Sequence, residues 1–402
     1  MTEMRRPFAR AIYLALLVTL AGCKSGDGQV DAQAVASVPG RQIDVAYFHQ
    51  SLAPYGEWFE SDSYGRCWSP RDMSADWRPY SDGHWEYTDY GWSWASEEPW
   101  GWAPYHYGRW FFDDSYGWAW APGTEWAPAW VAWRYDEGWV GWAPLPPTAR
   151  WTASNGLHFA GAGSIPSRGW CFVPRQNVFD RDLRPRVTSV GRNVTFIERT
   201  RDATRFGVHR GRPANIGIAV GEIEHTTGRR VPRAQVVDIE APGNGGGRAV
   251  GKDRVGFFRP AVRQDPVRRV TAQAVSRSRR DAPIEIPQQQ REERQRRLEN
   301  DLGAEQARLG REQQDERREQ RPGPRAEGVR RQQAAEQQAF QNHAAEQRRV
   351  ISERPPRQAP RPENVAPPAP RQVAKPDNAA RREPEGKRES PKKDRERERK
   401  DR

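Results

Sequence analysis

The sequence predicts a mainly β protein: repeated antiparallel β-hairpins, a second β segment, and then a helical and finally disordered tail. Three observations predict it. All 18 Trp lie between Trp58 and Trp170. Within that stretch Tyr64-Gly65 recurs as Tyr90-Gly91 and Tyr116-Gly117, 26 residues apart each time, and a fixed period of this length marks a repeated supersecondary unit. Residues 281–402 contain a single aromatic, Phe340, too little to build a core.

The N-terminus reads as an address. Arg5, Arg6 and Arg10 flank and precede an apolar stretch from Ala11 to Ala21 that ends in Leu20-Ala21-Gly22-Cys23. The stretch is too short for an ordinary membrane span. This order resembles the lipobox of bacterial lipoproteins. The resemblance implies that residues 1–22 are a signal peptide, cut before Cys23, and that the Cys23 thiol carries lipid. Two or more acyl chains anchor a protein stably where one does not. Residue 24 is Lys rather than the Asp that resembles an inner-membrane retention signal. The expected location is therefore the outer membrane, facing the periplasm. Residues 23–43 are small and polar and read as a tether.

Residues 44–150 form the Trp-rich repeat region. Trp68, Trp94 and Trp120 follow the Tyr-Gly pairs at the same interval, and Trp142 ends a shorter fourth copy. Gly56-Glu57-Trp58, Gly83-His84-Trp85 and Gly108-Arg109-Trp110 open the first three copies. Apolar alternation around two- and three-residue connections predicts a hairpin in each copy. Alternate side chains share a strand face. One face is aromatic, with Tyr90, Trp92 and Trp94, then Tyr116, Trp118 and Trp120; the other is small, with Cys67, Ser93 and Ala119 at equivalent positions. A small face implies close approach by another layer. The block has few aliphatics, so its rings are expected to be the core. With so many rings in a thin sheet, some are expected to be partly exposed. Trp92, Trp94, Trp118 and Trp120 are the candidate ligand-stacking residues, since flat rings suit sugars and neighbouring carboxylates accept from hydroxyls.

Residues 151–270 are expected to be a basic β region packed with the first. Strands are predicted at Gly169 to Val173, Arg192 to Ile197, Ile216 to Val220, Ala234 to Ile239 and Val255 to Arg259. Residues 44–144 hold 16 acidic and 5 basic residues, whereas residues 145–280 hold 25 basic and 10 acidic. The simplest consequence is that the two blocks attract and pack together; the sharper one is a basic surface for an anionic polymer or lipid headgroups. Residues 271–354, rich in Gln, Glu and Arg, favour helix. Leu298, Leu302 and Leu309 fit a seam that Glu305 interrupts, so solvated helices with little core burial are expected. Residues 355–402, dominated by Pro, Arg and Lys, read as disordered.

With Cys23 lipidated, Cys67 and Cys171 remain. The cell envelope permits disulfides, so these two are a candidate pair. Neither they nor the dispersed histidines show zinc spacing, and neither metal nor cofactor is expected. No nucleophile elbow, zinc-protease helix, phosphate loop or dinucleotide fingerprint occurs. Glu97-Glu98 and Asp113-Asp114 are adjacent pairs, and adjacency does not place carboxylates on either side of a glycosidic bond. No catalytic residue is assigned.

Three longer runs are distinctive: Glu98 through Trp110, Pro122 through Trp133, and Val140 through Pro147. Together with Cys171 through Pro174 and Asn193 through Ile197, they resemble a family of exported, Trp/Gly-repeat, proline-rich bacterial proteins whose domain has no assigned function. The resemblance implies an envelope location and a shared fold, and it supplies no reaction, substrate or catalytic residue. The first copy departs from the pattern, with Arg66 where later copies have Trp92 and Trp118. The expected function is a non-enzymatic, structural or scaffolding lipoprotein of the cell envelope. Its partners would be the membrane, through the lipid, and envelope polysaccharide or other envelope proteins. The alternative is a carbohydrate- or polymer-binding module using exposed rings. The export signal argues against nucleic acid as a partner of the basic tail.

Overall fold

The computed structural model describes residues 42–243, 245–263, 288–319 and 325–353. The expected signal peptide, most of the tether with Cys23, and the Pro/Arg/Lys-rich tail lie outside the described residues.

A short strand, β1 (Gln42–Asp44), leads into helix α1 (Val45–Leu52), whose Asp44 cap accepts from Tyr47 N at 3.0 Å. Four antiparallel hairpins follow: β2 (Gly56–Ser61) with β3 (Gly65–Pro70), β4 (Gly83–Thr88) with β5 (Gly91–Ser96), β6 (Arg109–Asp113) with β7 (Gly117–Ala121), and β8 (Val131–Tyr135) with β9 (Trp139–Pro144). The period read from the sequence is this set of hairpins. In each one the register sets a Trp opposite a Trp: Trp58 and Trp68, Trp85 and Trp94, Trp110 and Trp120, Trp133 and Trp142. Cross-strand aromatic pairs are a main source of sheet stability.

The Gly-x-Trp openings have a steric cause. At Gly83 and Gly108 φ is +146° and +67°. A Cβ on Gly83 would stand 2.3 Å from Ala95 O, and one on Gly108 would stand 2.1 Å from Ala121 O. The indoles of Trp94 and Trp120 fold across these glycines, within 2.9 and 2.7 Å of such a Cβ. Any other residue would push the ring of its own hairpin off the strand.

Beyond the repeats, β10 (Arg150–Thr152) and β11 (Gly156–His158) form a small hairpin. The remaining strands are β12 (Cys171–Pro174), β13 (Arg201–Asp202), β14 (Phe206–His209), β15 (Arg212–Asn215), β16 (Arg233–Asp238), β17 (Arg248–Ala249), β18 (Arg254–Phe257) and β19 (Ala261–Arg263). Most of these complete sheets that the hairpins begin. The second hairpin lies within the sheet β14-β15-β5-β4-β16-β18-β17, and the fourth within β12-β9-β8-β13. The first and third share the sheet β2-β3-β7-β6, joined where Trp68 faces Trp120, while β19 returns to pair with β1. The acidic and basic blocks therefore build one fold. Ion pairs cross between them, Arg184 to Asp82 at 3.3 Å, Arg181 to Glu86 at 3.4 Å and Arg199 to Asp136 at 2.8 Å.

Two predicted strands are not strands. Residues 193–199 form helix α2 (Asn193–Arg199), and residues 216–219 are irregular and lead into helix α3 (Val220–Thr227). In the first case the buried Asn193 and Phe196 fall on one side of a turn, and Asn193 Nδ2 donates to Ser167 O and Trp170 O. That spacing outweighs the β-branched composition. In the second, Gly217, at φ +47°, passes beneath the indoles of Trp133 and Trp92, and Ile218 O accepts from Trp92 Nε1 at 2.9 Å. Its carbonyl serves a ring instead of a ladder.

The core is aromatic, as expected. Trp68, Trp94, Trp120, Trp133 and Trp142 are fully buried. Trp85 of the second hairpin packs 4.5 Å from Trp133 of the fourth. Indole N–H groups donate to backbone carbonyls: Trp68 to Leu52 O, Trp110 to Pro104 O, Trp120 to Tyr107 O and Trp142 to Tyr80 O. These four buried donors are thereby satisfied within the aromatic mass, whereas the indole N–H groups of Trp85, Trp94 and Trp126 are buried without a partner.

The small faces are buried too, and two different layers cover them. On β5 the chain at Gly245–Gly247 lies so close that a Cβ on Gly247 would be 2.9 Å from Ala95 Cβ. On the sheet of the first and third hairpins, Cys67 and Ala119 are fully buried with Phe59. Here the cover is exchanged between repeats. Tyr116 of the third hairpin stacks on Phe59 of the first, at 3.8 Å and 8° between planes, and Tyr64 of the first reaches Phe111 of the third, at 4.7 Å. Ala119→Leu and Ser93→Leu are each expected to overpack these faces and to cost about 1–3 kcal/mol. Denaturant melts measure this; values within about 0.5 kcal/mol would mean that the faces look at water.

Two long helices, α4 (Gln288–Glu319) and α5 (Arg325–Glu353), pair as a hairpin and pack on the β structure. This corrects the expectation of solvated helices. Leu298, Leu302, Leu309, Phe340 and Ala344 are buried. Glu305, which interrupts the seam, is buried as well and accepts from Val190 N at 2.8 Å. Its carboxylate faces the β structure, which is why helical periodicity alone misreads it.

Candidate functional site

The long run Glu98 through Trp110 forms the polar centre of the fold. Residues 98–107 wind through successive tight turns, Gly101 N to Glu98 O, Ala103 N to Trp100 O and Tyr107 N to Ala103 O, and nearly all of the run is buried. Glu98 is 7% exposed and takes three side-chain donors: Trp77 Nε1 at 2.8 Å, Ser96 Oγ at 2.7 Å and Tyr105 Oη at 2.8 Å. Burial pushes its carboxyl up to about 7, against the pull of those three hydrogen bonds. Tyr105 is itself held well above the usual phenol range by burial and by Glu98. Tyr105 O accepts from Tyr80 Oη, and Tyr107 Oη donates to Pro260 O.

His106 is buried, and burial lowers it to about 4, so it is neutral. Nδ1 donates to Ala127 O at 3.0 Å, which leaves Nε2 as an acceptor facing the chain at Gly246. The cavity beside it, between Trp102, Phe257 and Gly245–Gly247, measures about 10 Å³, room for a single water at most. A wider, open cleft of about 650 Å³ lies between Asp76, Asp82, Arg181, Arg184 and Arg308. Its charges already answer one another: Arg184 pairs with Asp82, and Ser74 together with nearby arginines holds Asp76 below the usual carboxylate range, against desolvation.

The sequence candidates fare unevenly. Trp92, Trp94 and Trp120 are buried and belong to the core, so they offer no stacking face. Trp118 is half-buried, 5.6 Å from Phe112 with their planes perpendicular. Flatness and repetition single these four out in the sequence, but in this fold repeated rings pair across the hairpins. Among the described residues the most exposed aromatics are Tyr64, 40% exposed and packed against Phe111, and Tyr55, 39% exposed. Tyr64 is a turn residue whose ring lies over the small face, against Phe111.

Cys67 and Cys171 are both free thiols in separate clusters, which corrects the candidate pairing. Cys67 sits on the small face of β3, with Sγ 3.9 Å from Tyr64 O; Cys171 Sγ lies 4.0 Å from Pro79 O, against the other sheet. Burial drives Cys67 up to about 12 and raises Cys171, leaving both as unreactive thiols. Among the described residues, no group of His, Cys, Asp and Glu gathers to hold a metal ion, and no helix is long and apolar enough to cross a membrane.

Residues 49–149 match a family described as a family of unknown function (DUF6600). The match spans the four hairpins and ends before the strands that complete their sheets. No curated protein and no solved structure matches the chain.

Proposed function

We propose that the protein is a non-enzymatic lipoprotein of the bacterial cell envelope, anchored through Cys23, with the Trp-packed β fold acting as a scaffold at the membrane. The observation that carries this reading is the leader: basic residues, the apolar stretch Ala11 to Ala21, and then Leu20-Ala21-Gly22-Cys23. Lys24 favours the outer membrane. The centre of the fold supports a structural role, because the oxygens of Glu98 and the hydroxyls of Tyr80, Tyr105 and Tyr107 are engaged within the protein. The likeness to an exported, Trp/Gly-repeat family supports the location.

Cys23→Ser is expected to release the protein from the membrane fraction. Mass spectrometry of the wild-type N-terminal peptide should show a lipid-modified Cys23. A mature chain that begins elsewhere and carries no lipid would overturn the proposal.

A further inference from the structure

The helical hairpin α4–α5 has its own apolar core and a polar contact with the rest of the fold. Of the buried residues in its apolar cluster, Ala75 alone belongs to the β structure. The contact is made by acids on one face of α4 and by groups on α5. Asp301 accepts from Ala75 N at 3.2 Å, Glu305 from Val190 N at 2.8 Å and Glu312 from Ser189 N at 3.4 Å. Glu316 and Glu336 lie 3.4 and 3.5 Å from the Arg192 guanidinium. Thr195 Oγ1 donates to Glu336 at 2.7 Å, and His343 Nε2 donates to Ala75 O at 3.0 Å. Residues 301, 305, 312 and 316 recur at helical spacing, so one ridge of α4 carries four of the acids, and Glu336 of α5 adds the fifth. The β structure thus presents a receptor for an acidic helix: the three backbone N–H groups of Ala75, Ser189 and Val190, Arg192, and the bare backbone of Gly191, where a Cβ would meet Glu336 O at 2.8 Å and Leu309 Cδ2 at 3.0 Å.

We propose that this receptor also takes the α4–α5 arm of a second copy, so that two chains exchange arms. Three observations support it, and none depends on the lipoprotein reading. The arm's apolar side chains cluster mainly with one another and touch the rest of the fold at Ala75, at the backbone of Gly191 beneath Leu309 and Phe340, and at Gly117 beside Val350. Its contact is built from charged and backbone groups that water can serve in the interval. Residues 264–287 join Arg263 to Gln288 and, at about 3.3 Å per residue, reach up to roughly 80 Å, ample for a neighbouring molecule. The exchanged dimer contains the same two contacts as two separate chains, and the contact closes on itself around a two-fold axis.

The strength can be bounded. An arm docked in all but about 1% of molecules, at an effective concentration of about 1 mM, has an intermolecular Kd of about 10 μM. The test uses two full-length variants. In one, Glu305→Lys and Glu312→Lys disable the arm and leave the receptor intact. In the other, Gly191→Leu and Arg192→Glu disable the receptor and leave the arm intact. Neither can dock its own arm. Each alone is expected to sediment as a monomer at about 100 μM, and their mixture as a one-to-one dimer in more than half of the molecules. If Gly191→Leu disturbs the loop, as near-ultraviolet circular dichroism of the Trp core would show, Arg192→Glu alone serves as the receptor-disabled chain. A mixture that stays monomeric overturns the proposal. So does a dimer formed by either variant alone, because that dimer would run through a different surface.

Discussion

Trp120→Ala is expected to destabilise the protein by about 3–5 kcal/mol, the range for removing a fully buried large aromatic side chain. The ring lies 5.4 Å from Phe48 and 6.2 Å from Trp58, and it pairs across its hairpin with Trp110. It is also the joint between the first and third hairpins, through Trp68, and its Nε1 donates to Tyr107 O at 2.6 Å. Its loss therefore opens a cavity and orphans a buried carbonyl together. Trp118→Ala, two residues earlier on the same strand face but half-buried, is the control and should cost clearly less. Equal losses for the two variants in denaturant melts would contradict the assignment of Trp120 as core.

The second large effect is electrostatic. The Glu98 carboxyl stands at about 7 in the folded protein, above its ordinary value of 4.5. Between those values the folded chain holds a proton that the unfolded chain has released. The stabilisation is fully present below about pH 4.5 and is lost as pH rises through about 7. At 1.36 kcal/mol per pH unit, the loss over that window is about 3 kcal/mol. Glu98→Gln cannot ionise, so stability measured from pH 4.5 to 8 should fall less steeply in the variant, by about that amount. His106 and His343, both lowered to about 4 by burial, act with the opposite sign, losing stabilisation as pH falls from about 6.5. They are common to both proteins and cancel in the difference. Parallel pH profiles for the two proteins would show that Glu98 is not the titrating group.

The hairpins were legible because each is local: a period, a turn and an alternating pattern all lie within one copy. How the copies assemble was not. The motif is nearly the same in each, so nothing in a single copy says that the first joins the third, or that the second and fourth enter different sheets. The same repetition hid the fate of the rings. Trp92, Trp94 and Trp120 look like a platform along one strand and become interior only when a second aromatic face closes on them. Glu305 was invisible for another reason. A carboxylate that binds backbone N–H groups leaves no apolar signature in the sequence and reads as a defect in a helical seam. The helix at 193–199 was missed because its β-branched residues spoke for a strand, while the hydrogen bonds of Asn193 that settle the matter run to residues more than twenty positions away.

The meeting of Trp68 with Trp120 also sets an order of events in time. A hairpin closes within about 1–10 μs, so Gly56–Pro70 can form as soon as it is free to fold. The strand that covers its open edge ends about fifty residues later. For a chain delivered to its folding compartment at the pace of synthesis, about 5–20 residues per second, the wait is several seconds. Throughout it the first hairpin is a two-stranded ribbon, marginal on its own, showing water an unpaired edge beside Trp68 and Cys67. Such an edge is a template for pairing with any other strand, including the same hairpin of a neighbouring chain. The window closes only when the third hairpin arrives, so mutations that slow the third hairpin should raise aggregation even where the finished fold keeps its stability.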